Sequence, residues 1–228
     1  MYKTEPHLHL KEVSSCGRLY AHEMLPLYKN EGYDTVFVTD HLSESFFEKR
    51  EGMTKEEKAD AFCLGYKNAK EIGDKLGITV IFAAELQMNE NKKAHFLLYG
   101  IDRDFILWIQ DNFHLSIKEV FEYLDSKDVF VVQAHPYRDE KITPIDGCAH
   151  AIEAHNTSPR HINYDDITLK YAALHGLPTT AGSDAHRPED VAGACILSEK
   201  KINSPRDYAE LIKSGKHEII LKQRVKPS

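Results

Sequence analysis

Short β-branched runs alternate with longer amphipathic stretches along the chain, the pattern of a domain in which helices cover a mainly parallel sheet. Strands are expected near 3–10, 34–39, 78–86, 94–100, 129–134, 149–155, 177–181 and 193–198. Between them, 18–30 sets Leu19, Met24, Leu25, Leu27 and Tyr28 at helical spacing and stops at Gly32. The same reasoning predicts helices over 55–76, 116–126, 165–175 and 204–214, the last two closed by Gly176 and Gly215. Residues 87–93, QMNENKK, are polar and too few for a crossover helix, so 78–86 and 94–100 are expected to form an antiparallel hairpin. No repeat, low-complexity run or Pro/Gly/Ser linker interrupts this order, which predicts one domain over 1–228. Seven or eight strands alternating with helices suit an α/β chain folded as a distorted, TIM-like (β/α)7 barrel, although an open doubly wound sheet would give a similar string.

Composition narrows the function more than the fold. With 42% hydrophobic and 29% charged residues the chain is an ordinary globular one. Its net charge of −7 and lack of a basic patch point away from nucleic acid. The longest near-apolar stretch, 78–84, falls far short of the roughly 18 to 20 residues that cross a bilayer. Glu5 and two histidines stand where a signal peptide would carry its apolar core, so a cytoplasmic location is expected. Four cysteines, at 16, 63, 148 and 195, include no C-x-x-C pair and suit reduced thiols. Histidine is the anomaly, with thirteen residues, and imidazole is the commonest metal ligand.

Where those histidines fall matters more than their number. His7 and His9 flank Leu8 in the first strand, and the two-residue period sends both imidazoles to one face. An H-x-H pair alone is more often a solvated pair than a chelate. Here, however, VFVTDH ends on Asp40 and His41, IFAAEL reaches Glu85, VFVVQAHP delivers His135, and LPTTAGSDAH presents Asp184 and His186. Each polar group stands where an apolar strand stops, and in parallel α/β folds those ends converge on one mouth. His95 begins its strand instead; an antiparallel hairpin would bring it to the same mouth, beside Glu85.

This constellation resembles the PHP family, named for polymerase and histidinol phosphatase domains, and the resemblance covers nearly the whole chain. Its motifs appear in the family's order: H-x-H at 7–9, T-D-H at 39–41, Glu85 followed by His95, A-H-P at 134–136, I-E-x-x-N at 152–156 and G-S-D-A-H at 182–186. The resemblance implies a distorted seven-stranded barrel with a three-metal phosphoesterase site. It further implies that His7, His9, Glu85 and Asp184 hold one metal, that Glu85 bridges to a second held by His95 and His135, and that His41 and His186 hold a third. The loop after H-x-H departs from the pattern, because Leu10 replaces a common Thr and no Asp or His follows until His22. Glu12 is the preferred stand-in for the missing ligand, with Cys16 or water as alternatives.

Imidazole and carboxylate donors suit zinc, manganese or iron, so two or three divalent ions are expected without a choice among them. Two ions sharing Glu85 would lower the pKa of a bridging water and remove the need for a side-chain base. Arg138, Arg160 and Arg187, beside the expected mouth, are candidates to bind a phosphate oxygen pair. The expected activity is hydrolysis of a phosphate ester, a small phosphomonoester being favoured. A non-catalytic metal-binding PHP module and a single-strand exonuclease are the alternatives. Amidohydrolases also open with H-x-H, but the binuclear ones commonly bridge their metals through a lysine. His22, His114, His150, His155, His161, His175 and His217 are not expected to be ligands, though His155 and His161 lie near the expected mouth.

Overall fold

The computed structural model describes residues 1–138 and 142–222. Among these, the elements run β1 (Tyr2–Leu8), α1 (Ala21–Asn30), β2 (Thr35–Val38), β3 (His41–Leu42), α2 (Glu44–Glu48), α3 (Lys55–Phe62), α4 (Leu64–Leu76), β4 (Thr79–Gln87) and β5 (His95–Tyr99). They continue as α5 (Arg103–Ile109), α6 (Ile117–Asp125), β6 (Phe130–Ala134), β7 (Ala151–Asn156), α7 (Asp165–His175), β8 (Thr179–Gly182), β9 (Ala194–Ser198), α8 (Pro205–Ser214) and β10 (Glu218–Leu221).

The sheet order is β10-β9-β1-β2-β4-β5-β6-β7-β8, with β3 paired to the end of β4. A parallel bridge from Leu8 to Ala185 brings β1 against the segment leaving β8, and the sheet curls into a nearly closed barrel. This is the distorted TIM-like architecture that the alternation predicts. β1, β2, β4, β6, β7 and β8 run one way, and β5 is antiparallel to both neighbours. The expected inversion of β5 is therefore present, and the residue pair Gln87 and His95 faces across it at the mouth.

Alternation along the strands divides the core into layers. Phe37, Ile81, Ala83, Leu97, Tyr99 and Val132 fill the barrel, and α8 closes its lower end with Tyr208 and Ile212. Tyr99 and Tyr208 pack with ring centroids 4.8 Å apart, and the Tyr208 hydroxyl meets Thr180 Oγ1 at 2.6 Å. Fully burying side chains of this size contributes roughly 1.5–3 kcal/mol each, so α8 serves as a stable floor. Outside the barrel, Leu8, Leu10, Val36 and Val80 pack under α1 and α4. Ala84, Leu86, Phe96 and Leu98 pack under the helices beside β4 and β5.

The helix expected over 55–76 is two helices, broken at Cys63. Ala59 and Phe62 of α3 belong to the layer over β4 and β5, whereas Ala69 of α4 packs beside α1; the chain turns because its two halves serve different layers. Gly176 and Gly215 adopt left-handed φ of 64° and 66° and end α7 and α8 as predicted. Four elements were absent from the sequence pattern. β3 and α2 are short, β10 is exposed at the sheet edge, and the near-continuous apolar run FILWI hides the helical period of α5.

Candidate metal centre

Period-two alternation in β1 points Glu5 and His7 into the barrel and leaves Leu8 and Leu10 for the outer layer. His9, one residue past the strand, is held by a bond from its N–H to the Ala185 carbonyl at 2.9 Å. His7 and His9 are both fully buried, with their Nε2 atoms 3.1 Å apart.

Glu85 is the centre of the arrangement. Its Oε1 lies 2.8 Å from His95 Nδ1 and 2.7 Å from His135 Nε2. Its Oε2 lies 2.8 Å from His41 Nδ1, 3.3 Å from His9 Nε2 and 3.7 Å from His7 Nε2. Asp184 Oδ1 approaches His9, His186 and His7 at 3.2, 3.4 and 3.5 Å. Three groups of donor atoms gather within 4.8 Å: His7, His9 and Glu85; His41, Glu85 and His95; His9, His41 and His186. Glu85 is common to two of them.

Burial alone would push the Glu85 and Asp184 carboxyls up, but the surrounding imidazoles hold both well below the usual range. Burial likewise opposes charge on His7 and His41, yet Glu153 and Asp184 raise the first and Glu85 raises the second well above an ordinary histidine. Burial among His186 and His41 lowers His9 instead. The centre thus balances carboxylate charge with protons, a balance that divalent cations can replace.

Two further carboxylates hold the cluster from behind. Glu153 Oε1 accepts from His7 Nδ1 at 2.8 Å, and its Oε2 accepts from the His135 N–H at 2.9 Å and Asn156 Nδ2 at 3.0 Å. Accepting the Nδ1 proton leaves His7 Nε2 as the free donor atom toward the cluster. Glu5 Oε1 accepts from the N–H groups of His7 and Ser183, both at 3.0 Å, and ties β1 to the end of β8. These bonds flank backbone that is locally costly, since His135 and Asp184 have φ of 31° and 49°. Close approach is equally demanding at Gly182, where a Cβ would stand 2.5 Å from both Glu153 Oε1 and His7 Cβ.

Sequence patterning gave Glu5 and Glu153 no role. Glu5 was legible in principle, because a residue two before His7 on the same strand must share its inward face. Glu153 lies in the I-E-x-x-N motif, but its partner His7 is 146 residues away.

The structure brings His7, His9, His41, Glu85, His95, His135, Asp184 and His186 together; it does not bring Glu12. The Glu12 Oε1 atom accepts from the Ala21 N–H at 3.0 Å and Asn68 Nδ2 at 3.3 Å. A carboxylate satisfies an unpaired N–H at the start of α1 and suits the positive end of the helix dipole, which draws Glu12 away from the histidines. Cys16, four residues further along the same loop, has a thiol that His186 and His41 influence. Burial raises its thiol pKa, but hydrogen bonds with His186 and His41 prevail and bring it down to about 6.

The arginines also separate. Arg138 Nη1 lies 3.8 Å from Asp184 Oδ2, at the cluster. Arg160 instead makes a two-pronged pair with buried Asp190, at 2.8 Å to each oxygen. Asp190 in turn accepts the His186 and Arg187 N–H groups, so Arg160 braces the loop behind His186. The Arg187 side chain is directed to Glu189 at 3.8 Å. Among the other histidines, His150 is tied to Asp125 and Val131, and His155 to Asp165. His22 is exposed on α1. Cavities of 480 and 550 Å³ lie at the opposite end of the barrel beside α8, away from these donor groups.

The donor set fits divalent ions. Glu85 Oε2 is buried without a hydrogen-bond partner, and His41 Nδ1 beside it lacks hydrogen-bonding geometry. Convergent, mixed imidazole and carboxylate donors of this kind are those of zinc, manganese and iron sites.

Residues 166–217, which include Asp184 and His186, match a family model described as PHP-associated. None of the curated proteins matches the chain. A two-domain protein from Bacteroides vulgatus containing a predicted PHP-like metal-dependent phosphoesterase is similar in structure, with a TM-score of 0.68 and 17% identity. That likeness covers 96% of this chain but 64% of the Bacteroides protein. PsfC from Pseudomonas syringae is similar at a TM-score of 0.64 and 18% identity, over 97% of this chain and 91% of PsfC. An amidohydrolase from Chromobacterium violaceum, with bound sulfate and no metal, has a TM-score of 0.51 and 14% identity over 82% and 89% of the two chains. The fold is thus that of PHP-like proteins, and the matched segment supports the family resemblance carried by the motifs.

Proposed function

We propose that the chain is a metal-dependent phosphoesterase, acting on a small phosphomonoester, and that 1–228 form one PHP-type domain. The observation that carries this reading is the convergence of five imidazoles on the two oxygens of a single buried carboxylate, Glu85. His7, His9, Glu85 and Asp184 would hold one ion; Glu85, His95 and His135 a second; His41 and His186 a third. Such ions, when bound, supply Lewis acidity toward a phosphoryl oxygen and an activated water.

The chain's own groups then have definite tasks. Glu85 offers one oxygen to each side of the centre, and its charge limits the net positive charge there. Glu153 fixes the orientation of His7, and Glu5 fixes the spacing between β1 and the Asp184 loop. Arg138 is placed to orient a phosphate oxygen beside Asp184, where guanidinium geometry suits a pair of oxygens. His155, near the end of β7, and its partner Asp165, at the start of α7, would meet the remainder of the substrate.

Elemental analysis after gentle purification, with a panel of phosphomonoesters and phosphodiesters, tests the reading. At least two divalent ions per chain and turnover of a monoester are expected. Glu85→Gln should abolish turnover with the fold intact. Less than one ion per chain, not restored by zinc or manganese, would overturn the metal centre; activity of Glu85→Gln within a few-fold of the parent would overturn the role of Glu85.

A further inference from the structure

β10 is the last strand in the sheet order, so among the described residues its outer edge pairs with no other strand. Its inner edge runs antiparallel to β9, from Glu218 opposite Leu197 to Leu221 opposite Ala194. The Lys222 N–H continues that ladder to the Gly193 carbonyl at 2.8 Å. Bonded pairs alternate along an antiparallel ladder, so Glu218, Ile220 and Lys222 direct their backbone groups to β9, and Ile219 and Leu221 turn theirs outward. Side chains alternate as well. Glu218, Ile220 and Lys222 share one face, while Ile219 on the other packs partly against the barrel layer. Ile220 and Leu221 remain 46% and 40% exposed. Natural sheet edges are usually blunted by a charge, a proline or a bulge, and residues 219–221 carry none of these.

The residues of this edge, Glu-Ile-Ile-Leu-Lys, complement themselves. Set antiparallel to a second copy about Ile220, Glu218 faces the partner's Lys222, and Lys222 faces the partner's Glu218. The same register sets Ile219 opposite the partner's Leu221, and these are the residues whose N–H and C=O groups point outward. Centring the pair on Ile219 or Leu221 instead would set Glu218 or Lys222 opposite an isoleucine. Lys222 Nζ also meets Glu31 at 3.0 Å, but an ammonium has three donors and can serve both carboxylates. We propose that β10 is a self-pairing edge, through which two copies of this chain join antiparallel about Ile220 in a closed two-fold dimer. An edge of five residues is small, so the dimer is a dissociable one.

Sedimentation velocity of the full chain, from low micromolar to several hundred micromolar, should show a reversible monomer–dimer equilibrium. Glu218→Lys and Lys222→Glu each set like charges opposite one another at both ends of the pairing, and each should weaken the dimer at least about tenfold. An equimolar mixture of the two variants restores opposite charges at both ends and should dimerise like the parent. Cross-linking reads the register separately. In a Cys16→Ser background, which removes the exposed native thiol, Ile220→Cys should form a disulfide-linked dimer under oxidised glutathione, because facing residues of a non-hydrogen-bonded pair lie closest. Leu221→Cys, which faces the partner's Ile219, should not. A monomer at every concentration, a dimer indifferent to both charge reversals, a mixture that stays monomeric, or cross-linking through Leu221→Cys in preference to Ile220→Cys would each overturn the proposal.

Discussion

Replacing Glu153 by Gln changes few atoms but removes the symmetry of the carboxylate. The native group accepts three donors, from His7 Nδ1, the His135 backbone and Asn156 Nδ2, at 2.8, 2.9 and 3.0 Å. A glutamine amide has one oxygen and one NH2. If its oxygen faces His135 and Asn156, the NH2 faces His7 Nδ1 and demands the other tautomer, which puts a proton on Nε2, the atom facing His9, Glu85 and Asp184. If its oxygen faces His7, the NH2 confronts two donors, and a buried donor left unsatisfied costs about 1–3 kcal/mol. Removing an outer partner of a metal-bound histidine typically lowers metal affinity about 10–100-fold, or about 1.4–2.7 kcal/mol.

A loss of that size is expected for Glu153→Gln, measured by zinc competition against a coloured chelator. Asn156→Ala provides the control, because it removes one donor and leaves the acceptor to His7 intact; its effect should be several times smaller. Zinc affinity of Glu153→Gln within about threefold of the parent would refute the tautomer argument.

Two other expectations test the division of roles. Arg138→Ala should raise KM for a phosphomonoester with little change in thermal stability, whereas Arg160→Ala should destabilise by about 1–3 kcal/mol because buried Asp190 loses its ion-pair partner and keeps only the His186 and Arg187 N–H groups; equal thermal unfolding of the two variants would contradict this. In the metal-free protein, His7, His41 and His186 have raised pKa values, so their contribution to stability is fully present below about pH 6.5, the unfolded value, and fades as pH rises through the folded values. Those protons compete with metal, so the zinc-induced rise in Tm should grow from about pH 6 to about pH 8; a rise independent of pH would refute it.

The barrel and the eight converging ligand candidates were legible because each depends on local pattern. An apolar strand that stops at a polar group reveals its end, and the short polar segment 87–93 reveals the inversion that brings His95 to Glu85. What stayed hidden depends on pairing across the chain. Glu12 and Cys16 are four residues apart on one loop, and only the demand of α1 for an acceptor at Ala21 separates their fates. Arg160 read as a phosphate ligand because sequence could not show buried Asp190 waiting thirty residues on. The break at Cys63 was invisible for a related reason: helical spacing continues through it while the layer beneath changes.

Among the buried acids around the mouth, four divide by electrostatic environment. Burial raises Glu5 and Asp40, each to about 7, even though Glu5 accepts from Ser183, His7 and Tyr28, and Asp40 from Ser14 and Leu10. Glu85 and Asp184, no better exposed, go the other way because imidazoles crowd them. Environments that drive like groups apart in this way assign them different work. Glu5 and Asp40 carry little charge cost as hydrogen-bonded braces between β1, β2 and the β8 loop. Glu85 and Asp184 retain the charge that attracts cations. Placing one brace two residues before His7 and the other immediately before His41 lets the barrel position a charged cluster without adding their full charge to it, which is the condition for holding several cations close together in a buried mouth.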